Sequence, residues 1–206
     1  MPIPRKVLLL EGQLDADTAS VRSQKEFMRI LGTAYQVGNK KYVREFIAKE
    51  VHSLADFKYF IDLVRKDRSA NYLVHFVGHG ESTEKETFLQ LTNGDKISMK
   101  SKKGLSIFRD LPHVEILLSC CGVGKDQKAL DTLRRVSGAQ AVFAYTSLVY
   151  DYQAFLIDSM LYHLLFGPVP WRYDEIPYQS IGKRVQDAIE SLLLFRNRKK
   201  ILACSC

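Results

Sequence analysis

His79 and Cys121 are the two side chains whose types and settings could do covalent chemistry. Cys121 stands in Val114-Glu-Ile-Leu-Leu-Ser-Cys-Cys-Gly-Val-Gly124, a short apolar run that ends in small residues and glycines. His79 stands in Tyr72-Leu-Val-His-Phe-Val-Gly-His-Gly80, a second apolar run with the same kind of ending. A thiol beside an imidazole is the minimum equipment for nucleophilic attack on a carbonyl. The imidazole takes or orients the thiol proton, and the imidazolium returns it to the leaving group. A free cysteine has a pKa of about 8.5, so the imidazole decides how much thiolate exists at neutral pH. The backbone N–H groups of Gly80 and Cys121 are the candidates for an oxyanion hole, because glycine lets the backbone approach a substrate closely.

The elements that must position this pair are strands. Short apolar runs ending in glycine read as buried parallel strands, and in open α/β sheets ligands sit beyond the carboxyl ends of such strands. Residues 5–11 predict a first strand with Glu11 at its carboxyl end. Residues 21–35 have helical spacing, residues 42–48 read as a second strand, and Ser53-Leu-Ala-Asp56 predicts a capping box opening a helix. Residues 72–77 are the third strand. Asn93-Gly94 predicts a hairpin that overhangs the site, and a short helix is expected over 105–109. Asp126 is placed to cap a helix that Gly138 ends. A fifth strand is expected over 139–144 and runs on through Ser147. Residues 152–166, apolar nearly all round, predict a well-buried helix. A last helix is expected over 180–195. Strands alternating with helices predict a parallel sheet covered by helices.

Composition bounds the class. The chain has 206 residues, 46% hydrophobic and 26% charged, which suits one globular domain with its own core. Thirty basic against twenty-three acidic residues give a net charge of +7. The excess is scattered, and its one dense stretch, Arg196-Asn-Arg-Lys-Lys200, carries no interleaved aromatics. That argues against nucleic acid as the partner. No apolar run is long enough for a membrane span, and the start does not read as a signal peptide. Four unevenly placed cysteines do not make a disulfide framework, which predicts a reducing, cytoplasmic setting. Cys204-Ser-Cys206 has the form of a prenylation end, but the tail over 196–206 is read as basic and flexible.

Three motifs in order carry a family resemblance. His75-Phe-Val-Gly-His79-Gly80, Leu118-Ser-Cys-Cys-Gly-Val-Gly124, and Gly138-Ala-Gln-Ala-Val-Phe-Ala144 followed by Asp151 and Leu161-Tyr162 resemble the caspase-like cysteine proteases, in particular the CHAT branch. His79 precedes Cys121 by a separation near the roughly fifty residues of caspases. The resemblance spans residues 5 to 166 and implies a caspase-like three-layer sandwich. It implies Cys121 as nucleophile, His79 as base, and Cys120 where the family keeps a small residue. The Gln-Ala-Cys-x-Gly of caspases proper is absent, as is the tryptophan common after the fifth strand. The resemblance builds the specificity pocket from the first strand's end and from segments after the nucleophile. Glu11 and Asp151 fall there, and two carboxylates suit a basic residue before the cleaved bond.

The expectation is therefore a single peptidase domain over residues 1–206 that makes limited cuts in protein substrates without cofactor or metal. The resemblance implies a regulated effector in cell death or antiviral defence, and the absence of sensor repeats places any regulatory partner in a separate chain. His75 and His79 are four apart, but that spacing chelates from a helix, and adjacent cysteines are poor chelators. His75 is read as a buried strand histidine. The competing reading is a catalytically silent, caspase-like interaction module.

Overall fold

The computed structural model describes residues 5–12, 26, 28–30, 36–37, 40–41, 43–149, 151–166, 183–184, 187 and 202–205, with backbone only at 36–37, 40–41, 151 and 152. Expectations for Trp171 and for most of residues 13–35 and 180–195 fall outside them.

The centre is a six-stranded sheet. Its strands are β1 (Arg5–Glu11), β4 (Val43–Glu50), β5 (Asn71–Val77), β9 (Val114–Ser119), β10 (Ala141–Tyr145) and β11 (Leu202–Ser205). A two-residue ribbon, β2 (Gln36–Val37) with β3 (Lys40–Lys41), stands apart. The order across the sheet is β11-β10-β9-β5-β1-β4, parallel throughout except for β11. Parallel strands demand crossovers, and the helices that make them cover both faces. On one face lie α1 (Leu54–Lys66), α2 (Lys102–Ser106) and α3 (Gln127–Ser137); on the other lies α4 (Asp151–Phe166). The strand interiors divide accordingly. Val74, Phe76, Ile116 and Leu118 pack with Phe57, Ile61, Leu130 and Leu133. Val7, Leu9, Leu73, Leu117 and Phe143 pack with Ile157, Leu161 and Tyr162.

Local signals set the element ends. Ser53 and Asp56 form the reciprocal capping box at the start of α1, worth about 1 kcal/mol. Asp126 accepts from the Ala129 amide at the start of α3, and Gly138 closes that helix. The fifth strand begins two residues later than expected and ends at Tyr145, before Thr146 and Ser147.

Three elements depart from the sequence reading. His79-Gly-Glu-Ser82 is itself a strand, β6, and forms a second sheet with β7 (Thr87–Gln90) and β8 (Lys96–Ser98). The Asn93-Gly94 hairpin therefore does not merely overhang the site. It pairs with the strand that carries His79 and buries Leu89 and Ile97 in the core. The short helix comes earlier, at 102–106, because Ser101 caps it at the Gly104 amide. The tail expected to be flexible holds a strand instead: Leu202–Ser205 pairs antiparallel with β10 and buries Leu202 and Ala203. Apolar Leu202 and Ala203 extend the sheet over the open edge of β10, which is why the basic stretch before them does not decide the outcome. Cys204 in that strand is disulfide-bonded, whereas Cys120 and Cys121 are free thiols.

Candidate active site

Register aligns the strand ends. Val77 on β5 is level with Ser119 on β9, and the Gly78 amide donates to the Ser119 carbonyl at 3.4 Å. His79 and Cys121 each follow two residues after that rung. They therefore stand past adjacent parallel strands at one carboxyl-terminal edge. His79 is exposed and Cys121 half-buried, so both side chains reach the surface at that edge. The Cys121 thiol lies 3.8 Å from the Val149 carbonyl, within the range of an S–H donor.

Gly122 turns the chain directly after the thiol with φ of 68°, a conformation that favours glycine. Its amide donates to the Ser147 carbonyl at 3.1 Å, so that N–H is already taken. The Cys121 amide remains the oxyanion-hole candidate in this segment. Gly80, the other candidate, runs hard against the loop that carries Cys121. A Cβ there would come within 2.6 Å of both the Cys120 Cβ and the Val123 Cγ2.

Cys120 faces the opposite layer. It is buried in the cluster with Leu118, Val123 and Ala129. Burial pushes its thiol pKa well up, and the neighbouring Cys121 and Asp158 add to the effect. A thiol held protonated is no nucleophile.

Glu11 ends β1 level with Val77, on the sheet face shared by Leu9, Val77 and Leu117, and is 7% exposed. It thus lies two strands from Ser119, roughly 10 Å at the spacing of neighbouring strands. Asp151 is the first residue of α4, beyond the same sheet edge; its side chain lies outside the described residues. Among the described residues, no group of three or more His, Cys, Asp or Glu side chains could hold a metal ion.

A buried polar cluster under the site was not foreseen. His75, four residues before His79, is fully buried. Its Nδ1 is 2.9 Å from the Tyr162 hydroxyl and its Nε2 is 2.8 Å from Ser119 Oγ. Ser119 Oγ is 2.9 Å from both carboxylate oxygens of Asp158. The Tyr145 hydroxyl donates to Asp158 Oδ1 at 2.5 Å, and burial together with the Asp158 charge holds that phenol protonated. The available signal was Asp158 in the middle of a mostly apolar helix, since a carboxylate buried there must find donors.

A mostly parallel sheet in this order, with helices on both faces and one antiparallel edge strand, is a caspase-like α/β fold. Among the solved structures it resembles is the crystal structure of the Drosophila initiator caspase Dronc. The TM-score is 0.58 at 11% identity, over 97% of this chain and 78% of that one. No protein-family model and no curated protein sequence matches the chain. No helix among the described residues is long and apolar enough to cross a membrane.

Proposed function

We propose that this chain is a cysteine endopeptidase of the CHAT type, acting in the cytoplasm on protein substrates. The observation that carries the reading is the shared rung: His79 and Cys121 each lie two residues beyond Val77 and Ser119 on neighbouring strands. The Cys121 thiolate attacks the scissile carbonyl carbon, and the oxyanion is held by the amides of Cys121 and Gly80. The imidazolium of His79 gives its proton to the leaving amine as the C–N bond breaks, leaving a thioester. His79 then takes a proton from water, whose oxygen attacks the thioester; the acid departs and the thiol is restored.

Glu11 and Asp151 form the pocket for the residue before the cut and favour Arg or Lys there. The buried position of Glu11 supports this, because a partly desolvated carboxylate binds a cation more strongly than an exposed one. The enzyme is a regulated effector in a cell-death or antiviral pathway, switched on by a partner in a separate chain.

Hydrolysis of fluorogenic peptides with Arg, Lys or Asp before the cut tests the reading in the wild type, Cys121→Ala, His79→Ala and Asp151→Ala. Cleavage after Arg or Lys that both dyad substitutions abolish and Asp151→Ala weakens supports enzyme, dyad and pocket together. Cleavage after Asp discards the pocket. Constitutive cleavage by the purified chain counts against partner control. Absence of cleavage with Cys121 still fast toward iodoacetamide supports partner control, and absence of cleavage with Cys121 no faster than an ordinary thiol favours the silent interaction module.

A further inference from the structure

Five hydrogen-bonding groups beneath the candidate dyad converge on one carboxylate. Asp158 faces Ser119 Oγ and the Tyr145 hydroxyl, and both donate hydrogen bonds to it. With its single proton committed to Asp158, Ser119 Oγ accepts from His75 Nε2, 2.8 Å away. That places a proton on Nε2, and Nδ1 is 2.9 Å from the Tyr162 hydroxyl. His75 Nε2 also comes within 3.4 Å of Asp158 Oδ2. His75 and Asp158 are both fully buried.

We propose that Asp158 is the positioning residue of the His79–Cys121 pair, an inference that rests on the peptidase reading. Its single carboxylate ties together the segments that border the site. Ser119 precedes Cys121 by two residues on β9. His75 precedes His79 by four on β5. Tyr145 ends β10, just before the loop whose Ser147 carbonyl holds the Gly122 amide and whose Val149 carbonyl faces the thiol. All three are thereby fastened to α4, the helix that Asp151 opens. Packing alone does not call for this arrangement. Apolar side chains of similar shape would fill the space without the desolvation cost of a buried charge. What the carboxylate adds is direction: each donor must point at one place, which fixes the rotamers below the nucleophile and the base. Asparagine has nearly the same shape but turns one acceptor into a donor. It therefore sets an N–H against Ser119 or Tyr145 and breaks the arrangement.

The test reads the Cys121 thiol itself and needs no substrate. A Cys120→Ala background leaves one thiol in that segment. The rate of Cys121 alkylation by iodoacetamide is followed against pH by peptide mass spectrometry in the full chain, alone and with Asp158→Asn, Ser119→Ala or Tyr145→Phe. Positioning predicts that Cys121 of the background protein is alkylated faster than an ordinary thiol at neutral pH. It also predicts that Asp158→Asn and Ser119→Ala change the pH profile and slow alkylation about tenfold at neutral pH. Tyr145→Phe has a smaller effect, because Ser119 still holds Asp158. On a cleaved peptide the same variants lower kcat with little change in KM. Folded variants that keep the background profile overturn the inference and leave the dyad standing. If Cys121 of the background protein is alkylated no faster than an ordinary thiol, the dyad reading falls and this inference falls with it. If Asp158→Asn does not fold, Ser119→Ala and Tyr145→Phe decide by the same comparison.

Discussion

Gly80 and Cys120 touch so closely that a Cβ on the glycine would lie 2.6 Å from the Cβ of the cysteine, closer than real side chains approach. The strand that carries His79 is thus seated directly on the loop that carries Cys121. The second sheet is held against the main one by the absence of a side chain.

Gly80→Ala should therefore push β6 away from the loop that carries Cys121. Both atoms that meet the new methyl, Cys120 Cβ and Val123 Cγ2, belong to fully buried side chains with little room to give. Overpacking of this kind costs about 1–3 kcal/mol. The expected outcome is a lower Tm and a peptidase rate reduced about tenfold or more, since small displacements of a catalytic group are expensive. Denaturant unfolding and peptide hydrolysis check the two effects. The double variant Gly80→Ala, Cys120→Gly relieves half of the clash and should recover part of the rate.

The two adjacent cysteines should behave as different chemical groups. Cys120 is sealed in the core with its thiol pKa pushed up, whereas Cys121 is half-buried at the strand edge. Brief alkylation of the native protein should label Cys121 and leave Cys120 unmodified until the chain is unfolded. Cys120→Ala should cost roughly 1 kcal/mol, as small core truncations do, and leave peptide hydrolysis within about threefold of the wild type. Loss of activity on Cys120→Ala, with the fold intact, would assign the nucleophile to the wrong cysteine.

Acid stability should carry the mark of Asp67, far from the site. Its carboxylate accepts from the Ser69 hydroxyl and amide, from Tyr72 and from Lys6, and these contacts hold its pKa far below the ordinary range. Burial, with Asp67 second, pushes the Tyr72 hydroxyl up to about 12. A carboxyl lowered by folding contributes stability that is whole above its unfolded pKa, about 4, and is lost as pH falls through the folded value. Asp67→Asn should lower Tm by roughly a few degrees at neutral pH. It should also flatten the loss of stability that the wild type shows below about pH 4. Parallel melting curves across that range check both arms.

The parts of the fold that were legible in the sequence are those whose signals are local. Ser53 and Asp56 announce a helix start by themselves, and the apolar runs of β5 and β9 announce buried strands. His79 and Cys121 stand out as candidates because each follows such a run. What was missed depends on distant partners. His79-Gly-Glu-Ser82 has no apolar alternation and becomes a strand only because Thr87–Gln90 pairs with it. Leu202–Ser205 is too short to stand out and takes its shape from the open edge of β10. The Asp158 cluster draws on two strands, the end of a third and a helix, and no spacing along the chain fixes the rotation of that helix. A buried acid among apolar residues signals that donors exist without saying which ones.

The edge strand β11 gives the last prediction. Ala203 is fully buried against the layer formed by α1 and α3, level with Ala144 on β10. The Gln127 side chain reaches across to the Cys204 carbonyl at 3.2 Å, tying the start of α3 to the same strand. A charge at position 203 has no room and no partner there, so Ala203→Glu should expel the strand rather than bury the carboxylate. The loss should reach several kcal/mol, in the class of buried unpaired charges. Expulsion leaves β10 with unpaired backbone groups on a hydrophobic edge, which templates association between chains. Size-exclusion chromatography should show soluble aggregate, and hydrogen exchange should show deprotection along Ala141–Tyr145 while Asn71–Val77, two strands inward, keeps its protection. A monomer with β10 still protected would mean that this edge does not depend on β11.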